Sequence, residues 1–330
     1  MQRRPFGRTG VTVSSLCLGC MNFGTATPKD ESIRIVHRAL DAGIDFLDTA
    51  DCYGDGASES VLRDTLAGGR RERVFLATKA HFPTSDDPKD RGNSARHLIR
   101  ACEASLRRLG TDHVDLLQVH RPDFDTPQEE TLRGLDHLVR AGKVRYVGTS
   151  THPAWWILEG IHAADRHGWP RYCSEQPPYN LLDRRIENEL LPFARRHGVA
   201  VIPWSPLAMG MLAGRYERAD AAPEGSRVAR LGGIYAERVT DRAIEAARRI
   251  AEVARDAGME PATLALAWVR TRDGVTAPIV GPRTMAHLEA ALAAADVEPS
   301  AEVCARLDAI QPPGAAATDF LNNRGVGRGR

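Results

Sequence analysis

Apolar residues along the chain fall into two alternating patterns. Short runs rich in Val, Ile and Leu recur at Leu16–Gly19, Phe46–Asp48, Val74–Thr78, Val114–His120, Val144–Gly148, Tyr172–Gln176, Ala200–Trp204 and Ala277–Val280, bounded by Gly or Pro. Runs of this length with turn residues at their ends predict buried β-strands. Between them, apolar positions recur at helical spacing. Ile33, Val36, His37 and Leu40 form one stripe, and Leu98, Ala101, Cys102, Ser105 and Leu109 a second. Leu132, Leu135, Leu138 and Val139 form a third, and Ile244, Ala247, Ile250, Ala251 and Ala254 a late one. Spacing of this kind predicts helices with one face on a core.

Strands alternating with helices predict an α/β fold with a parallel sheet, and eight strands are the number that closes a barrel. The competing architecture is an open doubly wound sheet, whose dinucleotide signature G-x-G-x-x-G follows the first strand. Here the chain continues CMNFGTATP, and the C-terminal GVGRGR has the wrong spacing and no helix after it. A (β/α)8 TIM barrel is therefore expected, as a single domain over residues 1–330. Three segments lie outside the eightfold pattern. Gly7-Arg8-Thr9-Gly10 is a turn signal, so residues 1–15 are expected to form a β-hairpin capping the barrel. Residues 207–239, rich in Gly, Ala and Arg, are expected to form a long loop after strand seven. The C-terminal tail 312–330 is poor in apolar residues and is expected to lie over the surface or fray.

Composition narrows the class of function. The 330 residues carry 44 Lys+Arg against 43 Asp+Glu, a net charge of +1, which argues against nucleic acid or an anionic membrane as partner. No apolar stretch approaches the roughly 18 residues of a membrane-spanning helix. The N-terminal MQRRPFGRTG has no apolar run behind its basic residues, so no signal peptide is expected. Cys17, Cys20, Cys52, Cys102, Cys173 and Cys304 lack metal-site spacing and suit small buried side chains in a reducing cytoplasm. Nothing in the pattern fixes an oligomeric state.

In a parallel barrel, chemistry gathers at the C-terminal ends of the strands. Strand two ends in Asp48 and leads to Tyr53, strand three ends at Lys79, and strand four ends in His120. Singly, such residues are usually caps, solvated charges or packing; on consecutive strand ends they make a constellation. A phenol titrates near 10, and an adjacent ammonium favours its ionised form. Asp48 would hold Lys79 charged, so the three make a tuned proton donor, and His120 would hydrogen-bond a substrate carbonyl. The set suits protonation of an oxygen that becomes negative, as in carbonyl reduction. No metal is expected.

The motifs DTADCYG, Lys79 and LLQVHRPD resemble the aldo-keto reductase superfamily, and the likeness runs from GRTGVTVSSLCLG through GPRTMAHLEAAL. The resemblance implies a (β/α)8 barrel, NADPH as cofactor, and the catalytic tetrad Asp48, Tyr53, Lys79 and His120, with Tyr53 as general acid–base. It also implies a cofactor site. Ser150 and Gln176 match carboxamide ligands, Thr151 stands where the family has Asn, and Trp204 matches an aromatic that stacks on the nicotinamide. Ser205, Pro206 and Leu207 would follow the pyrophosphate, Gly210 would permit close backbone approach, and Arg215 would clamp phosphate. In the strand-to-helix turn after Gly281, Arg283 resembles the residue that recognises the 2′-phosphate, and His287 takes the place of Gln. Ala290 and Ala291 replace a Glu-Asn pair, which implies a looser grip on adenine.

Met21, Phe23, His81, Phe82 and Trp204 are expected to line the substrate pocket, with the 207–239 loop and the tail closing over it. Their polar-aromatic mix suits a sugar, a hydroxylated carbonyl or an aryl aldehyde. GNSARHLIRACEASLRRLG and GPRT look similar to bacterial members that reduce keto groups of nucleotide-linked deoxysugars or natural products. Arg324, Arg328 and Arg330 would meet a phosphate of such a substrate. Two other readings remain open. One is an NADPH-binding regulatory or sensor subunit, similar to potassium-channel β subunits that keep the tetrad. The other is a Schiff-base lyase using Lys79, which pairing with Asp48 opposes.

Overall fold

The structure, a computed structural model, describes residues 1–321. It opens with an antiparallel hairpin of β1 (Arg3–Pro5) and β2 (Thr12–Ser14), as expected. Eight parallel strands follow: β3 (Cys17–Gly19), β4 (Phe46–Asp48), β5 (Phe75–Ala80), β6 (Val114–Val119), β7 (Val144–Ser150), β8 (Ser174–Gln176), β9 (Ala200–Val201) and β10 (Ile279–Val280). Their order is β10-β3-β4-β5-β6-β7-β8-β9. The outer edges meet through a Val201–Val275 bridge, and the Ile279 N–H donates to the Pro203 carbonyl at 2.8 Å. The sheet thereby closes into the (β/α)8 barrel. Every predicted strand is present. The run at Ala200–Trp204 is shortened to two residues, since Pro203 has no N–H for the ladder.

Around the sheet lie α1 (Lys29–Asp41), α2 (Ala57–Thr65), α3 (Ala95–Leu109), α4 (Gln128–Arg140), α5 (Ala154–His167) and α6 (Leu190–His197). They are followed by α7 (Arg227–Leu231), α8 (Ile234–Glu237), α9 (Asp241–Asp256), α10 (Pro261–Thr271), α11 (Met285–Ala293) and α12 (Ala301–Ile310). Three of the predicted stripes lie on the buried faces of α3, α4 and α9; on α1, Val36 and Leu40 are buried as predicted, but Ile35 and Ala39 complete the face and Ile33 and His37 are half-buried. Helix α3 shows the local cause. The Ser94 side chain accepts the His97 N–H at its start, Leu98, Ala101, Cys102 and Leu109 are buried along it, and Gly110 ends it at φ 64°.

Strand alternation sorts the core into two. Phe46, Phe75, Ala77, Leu116, Ile202 and Ala277 point into the barrel and meet Phe6 and Val13 of the hairpin, which plugs the lower end. Leu47, Leu76, Leu117, Val119 and Val147 point outward against the helices. The period of two therefore sends Asp48, Lys79 and Gln118 into the barrel interior, above an apolar floor.

One expectation is corrected. Residues 207–239 are not one long loop: they hold a 3₁₀ turn at Ala208–Ala213 and the short helices α7 and α8. The described part of the tail, 312–321, lies over the protein, the first of its two expected outcomes. Ala317, Thr318 and Phe320 are buried, the Thr318 hydroxyl donates to the Arg238 carbonyl at 2.7 Å, and the Phe320 N–H donates to Asp183 Oδ2 at 2.8 Å. Arg324, Arg328 and Arg330 lie outside the described residues. Among those described, no helix is long and apolar enough to cross a membrane.

Candidate active site

A buried polar layer crowns the apolar floor of the barrel. Asp48 lies two residues above Phe46, Lys79 two above Ala77, and Gln118 is the register partner of Lys79. The Lys79 ammonium has three protons and three acceptors: Asp48 Oδ2 at 2.6 Å, the Thr49 carbonyl at 2.8 Å and Tyr53 Oη at 3.3 Å. The second Asp48 oxygen accepts from Gln118 Nε2 at 3.1 Å and Gln176 Nε2 at 2.9 Å. Both charges are thus paired and hydrogen-bonded, the condition under which a buried ion pair is tolerated.

Tyr53 arrives on the loop into α2. Gly54, Asp55 and Gly56 all take positive φ, at 58°, 52° and 88°, which turns the chain sharply after the tyrosine. The turn sets the phenol ring 4.8 Å from Lys79 Nζ. His120, just past β6, stands 5.7 Å from the Tyr53 ring, centroid to centroid, and nearly perpendicular to it. Phe82 packs against the other side of the imidazole at 4.9 Å.

Electrostatics differ from the simple expectation for the phenol. The protein around Tyr53 pushes its pKa up, and the Lys79 ammonium draws it back only in part. In this state the phenol is protonated. For Lys79, burial acts downward, but Asp48 and Tyr53 outweigh it and hold the amine charged. Burial, followed by the Lys79 and Arg121 cations, holds His120 well below its ordinary value, so the imidazole is neutral at pH 7. Cys52 Sγ lies 3.8 Å from His120 Nδ1, and burial pushes that thiol up to about 12. A protonated thiol facing Nδ1 can donate to it, an arrangement compatible with the ring proton on Nε2.

Above the layer opens a cavity of about 690 Å³. Asp48, Tyr53 and His120 line one end, with Met21, Phe82, Ser150, Gln176 and Trp204 around them. Ser205, Pro206, Leu207, Gly210 and Arg215 continue it, and Gly281, Arg283 and His287 line the far end, beside Ala290 and Ala291. Lys79 lies beneath this surface, reached through Tyr53 and Asp48. Three of the predicted residues stand apart. Phe23 is fully buried in the core. His81 turns to Asn93, with Nδ1 2.8 Å from Oδ1. Thr151 takes φ 60°, a strained value for a β-branched residue, and its hydroxyl accepts from Arg121 Nη1 at 2.6 Å.

The arm of the cavity lined by Ser205 to Arg215 and by Arg283 could hold a phosphate-bearing group. Ser205, Ala208 and Met209 take φ of 55°, 47° and 58°, strain of the kind that gathers at ligand sites. Gly210 takes φ 98°, and a Cβ there would approach Arg215 Cδ to 3.1 Å. Arg215, Arg227, Arg230 and Arg283 all face the cavity, and none forms an ion pair among the described residues. Burial, then Arg215, Arg230 and Arg227, pulls Arg283 below its ordinary pKa, and Arg283 donates to the Gly225 carbonyl. Four guanidiniums without a carboxylate could serve as donors to a phosphate. The buried Trp204 Nε1 also lacks a partner.

Sequence reasoning missed Arg227 and Arg230, although the Arg-rich composition of 207–239 was a signal. It also passed over Asp51 and Cys52. Both Asp51 oxygens are buried without hydrogen bonds, and burial with nearby Glu59 pushes the carboxyl up to about 7. Asp51, Cys52 and His120 bring ligand atoms within 4.8 Å of one another.

Residues 15–312 match the family model described as "Aldo/keto reductase family". The uncharacterized oxidoreductase YrpG of Bacillus subtilis (strain 168) is 39% identical over 322 residues, covering 94% of this chain and 96% of that protein. A putative aryl-alcohol dehydrogenase, AAD16 of Saccharomyces cerevisiae, is 33% identical over 88% of this chain and 91% of its own. A probable voltage-gated potassium channel subunit beta of Arabidopsis thaliana is 34% identical over 91% of this chain and 92% of its own.

Proposed function

The chain belongs to the aldo/keto reductase family, an oxidoreductase family, and from that premise we propose that it reduces an aldehyde or ketone to an alcohol with NADPH. The observation that carries this reading is the Lys79 ammonium bonded at once to Asp48 and to Tyr53 Oη on the floor of the cavity.

The raised phenol pKa keeps Tyr53 protonated, the state a proton donor needs. As the carbonyl oxygen becomes an alkoxide, it takes the Tyr53 proton. The phenolate left behind faces a permanent cation at 3.3 Å. Neutral His120, as its Nε2–H tautomer, donates to the same oxygen and fixes its position. Bound NADPH supplies the hydride equivalent for the carbonyl carbon. Ser150 and Gln176 suit its carboxamide. Their donors are committed, Ser150 Oγ to the Gln176 carbonyl at 3.0 Å and Gln176 Nε2 to Asp48, so each offers an acceptor. Thr151 is engaged by Arg121, and the carboxamide contact rests on the other two. Trp204 supports the ring, Ser205 to Arg215 follow the pyrophosphate, and Gly281, Arg283 and His287 hold the phosphorylated adenosine end. Met21, Phe82 and Trp204 suit an aryl or hydroxylated carbonyl, including a keto-sugar or natural-product ketone. The six free cysteines fit a cytoplasmic location.

A second reading, an NADPH-binding regulatory subunit, is favoured by the likeness to the Arabidopsis channel subunit. A Schiff-base lyase is disfavoured, because all three Lys79 protons are engaged. Consumption of NADPH absorbance across aldehydes, ketosugars and quinones tests the proposal. Turnover of at least one carbonyl class is expected. Tight NADPH binding without turnover of any would move the assignment to the regulatory reading.

A further inference from the structure

The substrate end of the cavity holds two cations that carbonyl reduction does not require. Arg121 follows His120 in the chain and is half-buried; its Nη1 donates to Thr151 Oγ1 at 2.6 Å and to the His120 carbonyl at 3.3 Å. Arg238, at the end of α8, is buried. Its guanidinium lies 5.2 Å from the Trp204 ring and 5.3 Å from the Phe320 ring. Its Nη2 has only the Phe320 carbonyl, at 3.4 Å, and its buried Nε has no partner. Both arginines line the cavity, and neither forms an ion pair among the described residues. Each is pulled below its ordinary pKa, chiefly by burial, and Arg121 acts on Arg238 as a like charge.

Unpaired guanidiniums in a largely apolar cavity are costly, and an anion supplied by the ligand removes the cost. Phosphate already has Arg215, Arg230 and Arg283, while Arg227 shares the Tyr235 ring with Arg238, at 5.8 and 5.7 Å. Around Arg121 and Arg238 the walls are aromatic, from Phe82, Trp204 and Tyr235. Flat walls and planar forks match a carboxylate, which guanidinium binds in bidentate fashion.

We propose that the substrate is an oxo-acid, its carboxylate held by Arg121 and Arg238 while its carbonyl meets Tyr53 and His120. This rests on the carbonyl-reductase reading above. The carbonyl carbon takes a hydride from NADPH, its oxygen takes the Tyr53 proton, and the carboxylate is unchanged.

The test compares 4-formylbenzoate with its methyl ester and with 4-formylphenyl phosphate, using the full chain and NADPH. The acid is expected to exceed the ester at least tenfold in kcat/KM, mainly through KM. Arg238→Met should bring that ratio near one without shifting NADPH affinity, and Arg238→Lys should recover part of it, which separates lost charge from lost folding. Equal rates for acid and ester overturn the proposal. So does an Arg238→Met protein that loses NADPH binding instead, because Arg227 stands close enough to Arg238 for the cofactor to claim both. Preference for the phosphate overturns the carboxylate assignment. If no aldehyde is reduced, the reductase reading fails, and calorimetry with terephthalate decides the anion site separately. Binding to the wild type that is lost in Arg238→Met supports it; no binding overturns it.

Discussion

Replacing Lys79 by Met removes a cation from the centre of the polar layer while keeping much of its volume. The Asp48 side chain, 3% exposed, then keeps two amide donors but no counter-charge. Breaking one partner of a buried ion pair costs about 3–5 kcal/mol, because the other charge stays behind unpaired. Asp48→Asn alone should cost a similar amount, by orphaning the ammonium. The double substitution leaves no buried charge, so its cost should fall short of the sum by about 2 kcal/mol or more. Urea denaturation of the wild type, both single variants and the double variant, followed by tryptophan fluorescence, closes the cycle. Turnover offers a second readout. With no cation beside Tyr53 the phenolate is unsupported, and the rate should fall about 10²–10⁴-fold, the usual worth of a general acid. Additivity within about 0.5 kcal/mol would mean that the two groups do not stabilise each other, and the reasoning from the 2.6 Å contact would be refuted.

Tyr53→Phe should lose at least about 10²-fold in turnover while still quenching NADPH fluorescence; a wild-type rate would remove Tyr53 as the proton donor. Arg283→Ala should weaken NADPH by about tenfold or more and NADH much less, since it takes one guanidinium from the phosphate cluster; equal weakening of both would show that Arg283 does not recognise the phosphate. Asp51 is held at about 7 by burial and Glu59, against about 3.9 in an unfolded chain. Between those values the unfolded state has released a proton that the native state keeps, so stability falls as pH rises through this window and levels off above it. Asp51→Asn should gain at most about 4 kcal/mol over wild type at pH 8 and nothing near pH 4. Glu175, pushed up to about 8 by burial, slopes the same way in both proteins, so the comparison isolates Asp51. Parallel pH profiles of the unfolding midpoint for the two proteins would count against a buried, unpartnered carboxyl.

Much of this protein was written locally. Strand positions followed from short apolar runs, and helical faces from the spacing of residues such as Leu98, Cys102 and Leu109. The period of two then forces Asp48 and Lys79 into the barrel once Phe46 and Ala77 face inward, so the juxtaposition at the strand ends could be read before any coordinates. What the chain alone left open depends on loop direction and on the summed environment. Phe23 and His81 follow barrel strands as Met21 and Phe82 do, yet Phe23 is drawn into the core and His81 to Asn93. Thr151 meets Arg121, and Phe320 anchors a tail whose composition promised no anchor. The phenol pKa went the same way: Lys79 beside Tyr53 was predictable, but the depth of burial that outweighs it was not. Periodicity is a property of neighbours in sequence, whereas desolvation and the surroundings of Arg121, Arg238 and Asp51 are set by segments far apart in the chain, and only the folded barrel brings those together.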